Sequence, residues 1–362
     1  MVLVSRRLDL PDSLEALTEA QDLFYERGWT DGLPIIPPTE RLVGEMLDGS
    51  DFPPNFVLGN VPPRMGVATV EKVAINAVLA GCKPEYLPVV IAAVRALLQR
   101  QFNLNGLQAT THVSAPLLIV NGPLARTLGI NAKHNCFGQG WRANATIGRA
   151  IRLIMLNIGG GAPATVDKST FGHPGKYTYC IAENEDDSPW EPLHVERGID
   201  PAASAVTVFG GEAPHSVIDN ASQSGRNVLN GIAGSMTTLG NNNTWYKTES
   251  IVVLGPEHAR MVADLGWSKR DVKAYLFERA RIPLGLMRTG GGIGAKYGNG
   301  WPKWLETEDD AALSPIASRL EDIIVIVAGG PGRHSLWIPG WGSSVSVTLP
   351  ITDHAGRPLL AE

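Results

Sequence analysis

Apolar residues recur at helical spacing in several stretches of this chain. TVEKVAINAVLAG keeps its apolar side chains on one face and Thr69 can cap its N-terminus, so a helix is predicted directly after Thr69. ATIGRAIRLIMLN places Ile147, Ile151 and Ile154 on one side and is followed by three glycines, which predicts a helix that ends there. Further helices are predicted over residues 14–26, 82–100, 125–131, 225–240, 256–266 and 268–280.

Uninterrupted apolar runs of strand length separate these helices. SAPLLIVNGP, ESIVVLGP and IIVIVAGG predict strands that are buried on both faces. Shorter strands are predicted at YTYCIAE, at residues 206–209 and at SSVSVTLPI. GEAPHSVID, GNNNTWYK and the glycine turn that carries Arg333 and His334 are predicted to be loops. The alternation of strands with helices predicts an α/β fold.

Two stretches of the sequence share one design. LLIVNGPLARTLGI and IVVLGPEHARMVADLG each contain an apolar strand, a Gly-Pro turn, an Ala-Arg pair and a Leu-Gly stop. This repetition predicts two interleaved α/β halves with long functional loops and a site between them. Duplication of one half and two independent uses of a common connection both remain open. We expect an N-terminal helix and proline-rich region at 1–66, a first half at 67–200 and a second half at 201–362.

The stretch from residue 157 to residue 197 holds the densest set of reactive side chains in the chain. A loop of this length in a compact protein is uncommon unless it is functional or disordered. Its aromatic residues and the strand-like YTYCIAE argue against disorder. We therefore predict a partly buried site segment. The loop GWTDGLPIIPPTE is predicted to pack between elements, with a site wall as the alternative.

Composition excludes several classes of function. The net charge is −5 and the lysines and arginines form no basic run, so neither nucleic acid nor a membrane surface is expected as a partner. No apolar stretch approaches the roughly 18 to 20 residues of a membrane span. Three distant cysteines and the absence of a signal-like layout in MVLVSRRLDLPDS indicate a cytoplasmic protein. Cys82 is interpreted as a buried structural thiol, although its place at a helix N-terminus would also suit a reactive one.

The reactive side chains allow a metal site as one interpretation. Histidines and cysteines suit a transition metal such as Zn or Fe, and glutamates could complete the ligand set. The candidates are His112, His134, Cys136, His173, Cys180, His194, His215, Glu183, Glu185, Glu191 and Glu196. No CxxC, HExxH or HxH spacing is present, so such a site would have to be assembled from separate loops.

Catalysis without a metal is the second interpretation. Cys136 or Cys180 would be the nucleophile, and His173, His194 and the glutamates would supply acid and base. Arg142 and Lys176 would hold a substrate carboxylate, since the helix that starts near Arg142 also offers free backbone N–H groups.

Cofactor binding is the third interpretation, and a nucleotide is not expected. NIGGGAP closes a helix, GGGIG follows no strand, and VAGGPGRHS lacks the GxGxxG spacing.

Several motifs, spread over nearly the whole chain, together carry a resemblance to a known family. They are GWTDGLPIIPPT, INAVLAGCKPEYLPVVIAAV, NCFGQGWRANATIGRAIRLI, GHPGKYTYCIAENE, SPWEPLHVERG and VAGGPGRHS. In these motifs the chain resembles a family of bacterial proteins of uncharacterised function, some of which accompany small proteins with a Cys- or Sec-Gly-Ser-Cys motif. The resemblance implies a two-component system with thiol or redox chemistry, and it assigns no catalytic residue.

From the residues we predict an enzyme that acts on a small carboxylate- or amide-bearing molecule by hydrolysis, hydration or lyase chemistry. The predicted catalytic residues are His173, Cys180, Glu183, His194, Glu196 and Cys136. The predicted substrate-binding residues are Arg142, Asn144, Lys176 and Tyr177. A homo-oligomer is expected. The alternative is a non-catalytic or redox-coupled subunit of a two-component thiol system with a small partner subunit.

Overall fold

The structure is a computed structural model that describes Ser5 and residues 15–290, 306 and 309–359. Within these residues helices alternate with strands, as the predicted α/β fold requires. None of the helices described is both long enough and apolar enough to cross a membrane. The glycine-rich stretch RTGGGIGAKYGNGW, whose GGGIG was considered for a nucleotide site, lies outside the described residues from position 291 onward.

The described residues form α-helices along the whole chain. In order they are α1 (Ala16–Glu26), α2 (Glu40–Leu47), α3 (Val70–Ala80), α4 (Leu87–Leu97), α5 (Leu104–Ala109), α6 (Pro123–Thr127), α7 (Arg142–Asn157), α8 (Leu193–Glu196), α9 (Gly225–Met236), α10 (Asn242–Tyr246), α11 (Pro256–Ala263), α12 (Lys269–Arg279) and α13 (Leu284–Thr289).

Local sequence explains where several helices begin. The Thr69 side chain accepts a hydrogen bond from the Lys72 N–H at the start of α3, as predicted. Ser268 and Asp271 form a capping box at the start of α12, in which each side chain binds the other residue's backbone N–H. Such caps satisfy N–H groups that have no partner inside the helix, and they fix the first residue of each helix.

The strands are mostly short. In order they are β1 (Val57–Val61), β2 (Gly66–Thr69), β3 (Ala115–Asn121), β4 (Cys180–Ala182), β5 (Ala205–Gly211), β6 (His215–Ile218), β7 (Ser250–Leu254), β8 (Arg281–Pro283), β9 (Leu313–Pro315), β10 (Ile323–Val327), β11 (His334–Pro339) and β12 (Val347–Pro350). β1 pairs with β2 and β8 with β9 in separate two-stranded sheets.

Three segments predicted to be loops are regular structure instead. HSVI forms β6, NNTWY forms α10, and His334 begins β11 directly after the glycine turn. β6 and β11 pair antiparallel over a long sequence separation, from His334↔Ile218 to Trp337↔His215. Such pairing comes from partners far along the chain, and β6 shows little hydrophobic alternation because only one of its four residues is buried.

The chain divides into two compact units that it visits in turn. The first consists of Met1–Glu183, Leu193–Gly210 and Ser346–Glu362, and the second of Asn184–Pro192 and Gly211–Val345. The predicted boundary at 66/67 lies inside the first segment of the first unit, and the boundary at 200/201 lies inside its second segment.

The first unit is built on a four-stranded sheet with the order β12-β5-β3-β4. All residues of β3 and β5 are buried, which explains why both strands are largely apolar, apart from Asn121 and Thr207. β3 and β4 are parallel, with Ile119 opposite Ile181, and the chain between them forms α6 and α7. α7 buries Ile147, Ile151 and Ile154 and packs against α3 and α4.

The second unit has its own four-stranded sheet with the order β10-β7-β11-β6. β7 is parallel to β10 and antiparallel to β11, so that Val252 lies opposite both Val325 and Trp337. Val228 and Leu276, from α9 and α12, belong to the same buried apolar cluster as these residues.

The two sheets are partly similar in the order of their elements. In the first unit α6 and α7 lie between β3 and β4, and in the second unit α11 and α12 follow β7, but β8, α13 and β9 also precede β10. β4 is parallel to β3, and β10 is parallel to β7. The edge strands β6 and β12 each pair with a strand of the other segment of the chain rather than with the strand that precedes them. β6 follows β5 in sequence but pairs with β11, whereas β12 follows β11 and pairs with β5. This correspondence is compatible with duplication of one half, which is one of the two alternatives that the sequence left open.

The Gly-Pro turns after β3 and β7 need glycine for the same reason. A Cβ atom at Gly122 would lie 2.5 Å from the carbonyl oxygen of Ala203, just before β5. A Cβ atom at Gly255 would overlap the carbonyl oxygen of His334, the first residue of β11. Each glycine therefore permits a close backbone approach, at matching places in the two sheets.

Candidate functional site

The first unit contains a pocket of about 870 Å³ between the loop at residues 30–31, helix α7 and the central segment. We call it the α7 pocket. Its lining residues are Thr30, Asp31, Arg152, Leu156, Gly161, Pro163, Ala164, Asp167, Lys168, Ser169, Phe171, Gly172, His173, Pro174, Lys176 and Tyr177. Twelve of these sixteen residues come from positions 161–177, within the predicted site segment. The volume is in the range of pockets that bind small organic molecules.

An ion pair joins α7 to the loop that carries Asp31. Arg149 donates from Nε to Oδ2 and from Nη2 to Oδ1 of Asp31, both at 2.8 Å. The side chains are only 13% and 4% exposed. Burial alone would raise the pKa of Asp31, but the hydrogen bond and charge of Arg149 outweigh it and hold the pKa below its usual value. The GWTDGLP loop therefore both packs against α7 and forms a wall of the pocket.

A second ion pair lies within the central segment. The Lys176 Nζ atom donates to Oδ1 and Oδ2 of Asp167, at 2.8 and 2.6 Å. Burial lowers the pKa of Lys176, and the hydrogen bond and charge of Asp167 oppose that shift. Asp31 and Asp167, the two carboxylates of the pocket, thus each have a cationic partner.

Arg152 differs from these paired groups. Its Nε atom donates to the carbonyl oxygen of Lys176 at 2.7 Å, which fixes the plane of the guanidinium. Within the described part of the chain, its two Nη atoms make no hydrogen bond or ion pair. Burial lowers the pKa of Arg152, while the charges of Asp167 and Asp31 oppose that effect. An arginine stays protonated in proteins, so the pocket holds a fixed positive charge whose four Nη N–H donors are not used by the described residues.

A tight turn beside Arg152 shapes one wall. Ala164 has a φ of +64°, a left-handed conformation that is uncommon for a residue with a Cβ atom. Its N–H donates to the carbonyl oxygen of Asp167 at 3.0 Å, and its own carbonyl oxygen accepts from Lys168 Nζ. Backbone conformations of this kind cluster at binding sites, because surrounding contacts must hold them in place.

The backbone fixes the orientation of His173. Its Nδ1 atom accepts a hydrogen bond from the Gly175 N–H at 3.1 Å, so the neutral ring carries its proton on Nε2. The ring also meets Tyr179 edge to face, with centroids 5.6 Å apart. A Cβ atom at position 175 would lie 2.5 Å from Cε1 of His173, so glycine is needed for this arrangement.

Two aromatic residues of the pocket face solvent. Phe171 is 91% exposed and Tyr177 is 49% exposed. In a pocket lining, the exposed apolar area of these side chains is available to contact a ligand.

The structure brings three of the predicted site residues into this pocket, namely His173, Lys176 and Tyr177. Cys180 is buried in β4, and burial raises the pKa of its thiol far above neutrality. A thiol that stays protonated is a poor nucleophile, and none of the α7 pocket is formed by Cys180. Cys82 is buried as expected, and burial raises the pKa of its thiol to about 12.

The remaining acid–base candidates lie elsewhere in the first unit. The Glu183 carboxylate is buried, and its Oε2 atom accepts from Asn121 Nδ2 at 2.6 Å and from the Leu193 N–H at 2.8 Å. It thereby holds the start of α8, which carries His194, buried, and Glu196, half-buried. None of Glu183, His194 and Glu196 lines the α7 pocket.

The loop before α7 is tied down by its own polar groups. Asn144 is buried; its Oδ1 accepts from the Asn131 N–H at 2.7 Å, and its Nδ2 donates to the carbonyl oxygens of Asn131 and Cys136. Cys136 is buried as well. Arg142 donates from Nε and Nη2 to the carbonyl oxygen of Gly81, at 3.1 and 3.0 Å. None of Cys136, Arg142 and Asn144 lines the α7 pocket.

The predicted metal ligands do not gather at one point. Among the residues that the structure describes, no group of three or more His, Cys, Asp or Glu side chains is placed to hold a metal ion.

Sequence reasoning selected Arg142 as the anion clamp and overlooked Arg152. A signal was present, because Arg149 and Arg152 are three residues apart on a helix whose other side is apolar, so both lie on its polar side. Charged residues that face neither solvent nor a local partner on such a helix are candidates for a ligand contact.

Comparison with known proteins adds no assignment. Neither protein-family models nor curated proteins give a match to this sequence. The resemblance carried by the GWTDGLP and GHPGKYTYCIAENE motifs therefore stays a prediction.

Proposed function

We propose that the protein is an enzyme that binds a small carboxylate-bearing molecule in the α7 pocket and acts on it by hydrolysis, hydration or lyase chemistry. The observation that carries the proposal is the Arg152 guanidinium. It lines the pocket, its plane is fixed by the Nε hydrogen bond to Lys176, and its Nη atoms have no partner in the described structure.

The charges favour a ligand group with one negative charge. The pocket carboxylates of Asp31 and Asp167 are bound to Arg149 and Lys176, which leaves Arg152 as a half-buried cation without an ion-pair partner among the described residues. Lys168 is exposed and binds the Ala164 carbonyl oxygen. A carboxylate matches the two parallel N–H groups of a guanidinium in both geometry and charge.

His173 is the residue that we assign to the chemical step, because it lines the pocket. Its Nδ1 atom accepts from the Gly175 N–H, so the neutral ring carries its proton at Nε2, and Nε2 is buried. Donation from this atom to a substrate oxygen therefore requires the ring to turn toward the pocket. Hydrolysis of an amide, hydration of a double bond beside a carbonyl and the reverse elimination all place negative charge on a substrate oxygen. Loss of one donor to such an oxygen raises the barrier by about 3 to 4 kcal/mol in enzymes.

Binding of carboxylates to variants of Arg152 tests the proposal. We would measure a panel of small carboxylates by ligand-observed NMR and calorimetry with the wild-type protein, R152Q and R152K. Loss of a charge-assisted bidentate contact should weaken binding by about 10- to 100-fold in R152Q, since such hydrogen bonds contribute about 1.5 to 3 kcal/mol. R152K keeps the positive charge but loses the bidentate guanidinium, so its affinity for carboxylates should lie between those of the wild type and R152Q.

R270Q is the matched control, because Arg270 is exposed and lies outside the pocket. It should bind like the wild type. Equal affinity of the wild type and R152Q for every carboxylate would reject the site. The protein would also be screened for turnover of amides, hydroxy acids and unsaturated acids. If carboxylates bind through Arg152 but none of these compounds is turned over, the protein is a binding protein and the proposed enzymatic activity is rejected.

A further inference from the structure

We infer that the ligand of the α7 pocket carries an aromatic ring in addition to its carboxylate. This inference rests on the proposed function, because it takes Arg152 as the group that holds the carboxylate. It concerns the rest of the ligand, for which the pocket offers a different kind of surface.

Five of the sixteen residues that line the pocket have cyclic side chains. Phe171, His173 and Tyr177 are aromatic, and Pro163 and Pro174 are saturated rings. Leu156 and Ala164 add apolar surface. Flat aromatic side chains bind a planar partner well, because they pack by offset stacking or edge-to-face contact and lose little conformational freedom.

The cation and the exposed rings differ in their access to water. Arg152 is half-buried, whereas Phe171 is 91% exposed and Tyr177 is 49% exposed. A ligand with a carboxylate at one end and a ring at the other would match this difference. The ring would cover apolar area on Phe171 that is otherwise in contact with water, and removal of such area from water favours binding.

The volume of the pocket points the same way. At about 870 Å³ the pocket is far larger than a two- or three-carbon acid requires. A short acid held by Arg152 would leave the ring-lined wall covered by water. A ring joined to the carboxylate by a short chain would contact both groups.

Four probes separate the contributions of charge and ring. They are propanoate, 3-phenylpropanoate, 3-cyclohexylpropanoate and the neutral 3-phenylpropanamide. Each would be titrated into the wild-type protein, F171A, R152Q and Y25A. Tyr25 is 70% exposed on α1 and lies outside the pocket, so Y25A controls for loss of an exposed ring. Phe171 is so exposed that its removal should leave folding intact, and far-UV circular dichroism checks this.

For the wild type we expect 3-phenylpropanoate to bind at least about 10-fold more tightly than propanoate, because the phenyl group removes an apolar area similar to that of one aromatic side chain from water. It should also bind more tightly than the cyclohexyl acid and the amide. F171A should weaken 3-phenylpropanoate about 5- to 10-fold and leave propanoate unchanged. Y25A should change neither, and R152Q should weaken both acids.

The outcomes tell the two proposals apart. If no acid binds, or if R152Q binds the acids as the wild type does, the proposed function fails. If both acids bind through Arg152 but the phenyl group adds no affinity, or F171A weakens propanoate as much as 3-phenylpropanoate, the inference about the ring fails alone. A cyclohexyl acid that binds as tightly as the phenyl acid would also overturn it.

Discussion

Replacement of Asp31 by asparagine tests how firmly α7 is held beside the pocket. Asp31 accepts two hydrogen bonds of 2.8 Å from Arg149, and both side chains are almost fully buried. Asparagine has nearly the same shape but no charge, so D31N leaves the Arg149 guanidinium buried without its counter-charge. The variant therefore isolates the electrostatic part of the contact.

The expected loss of stability follows from the burial of the pair. Removal of one partner from a buried ion pair costs about 3 to 5 kcal/mol, because the other charge stays desolvated. The asparagine oxygen can still accept one of the two hydrogen bonds, which returns about 1 kcal/mol. We therefore expect D31N to lower the free energy of unfolding of the first unit by roughly 2 to 4 kcal/mol at neutral pH.

The same pair makes a prediction about pH. The pKa of Asp31 is lower in the folded protein than its usual value, so the folded state favours the ionised carboxylate. Its contribution to stability is present above the unfolded-state pKa of about 3.9 and is lost as the pH falls through the folded-state pKa. The stability difference between the wild type and D31N should therefore shrink toward zero in acid.

Hydrogen exchange read by mass spectrometry on peptides of α7, at increasing denaturant, measures this free energy locally. E45Q is the control, since it breaks an ion pair with Arg41 whose side chains are 51% and 71% exposed. Exposed pairs contribute about 0 to 1 kcal/mol, so E45Q should change little. A loss in D31N no larger than that in E45Q would refute the view that this pair anchors α7.

Two further predictions concern the cysteines and the glycine turns. Burial raises the pKa of the Cys82 thiol to about 12, and burial also raises the pKa of the Cys180 thiol. Both thiols should therefore resist alkylation at pH 8 in the folded protein and react at once in urea, and rapid labelling of either in the native state would contradict this prediction. G255A should destabilise the second unit by more than about 2 kcal/mol, because its Cβ atom would overlap the His334 carbonyl oxygen, whereas G231A in α9 meets no atom within 4 Å and should stabilise that helix by about 0.5 to 1 kcal/mol. Equal thermal shifts of the two variants would contradict this reading of the turn.

Local patterns account for much of the fold. The cap at Thr69, the apolar face of α7 and the buried strand after residue 114 are written in neighbouring residues, and all three were predicted. β6 and β11 were missed because their pairing partners lie more than a hundred positions apart. No periodicity within either segment reports such a partner.

Part of the candidate site could likewise be predicted from neighbouring residues in the sequence, and part could not. The central segment was chosen because its reactive residues are close in sequence, and His173, Lys176 and Tyr177 do line the pocket. Arg142 and Arg152 could not be ranked by sequence, because each follows from contacts formed only in the fold. The Gly81 carbonyl oxygen occupies one guanidinium, whereas the Lys176 carbonyl oxygen binds the Nε atom of the other and leaves its Nη atoms to the pocket.

The exchange of β6 and β12 affects the order in which the protein can be completed during synthesis. β12 pairs with β5, but it begins 136 positions after β5 ends. A ribosome adds about 5 to 20 residues per second, so the nascent chain waits roughly 7 to 27 s between the two strands. During that interval β5 has an open edge, which is a template for pairing with other chains. A transcript that stops before residue 347 would release a protein in which this edge is never covered.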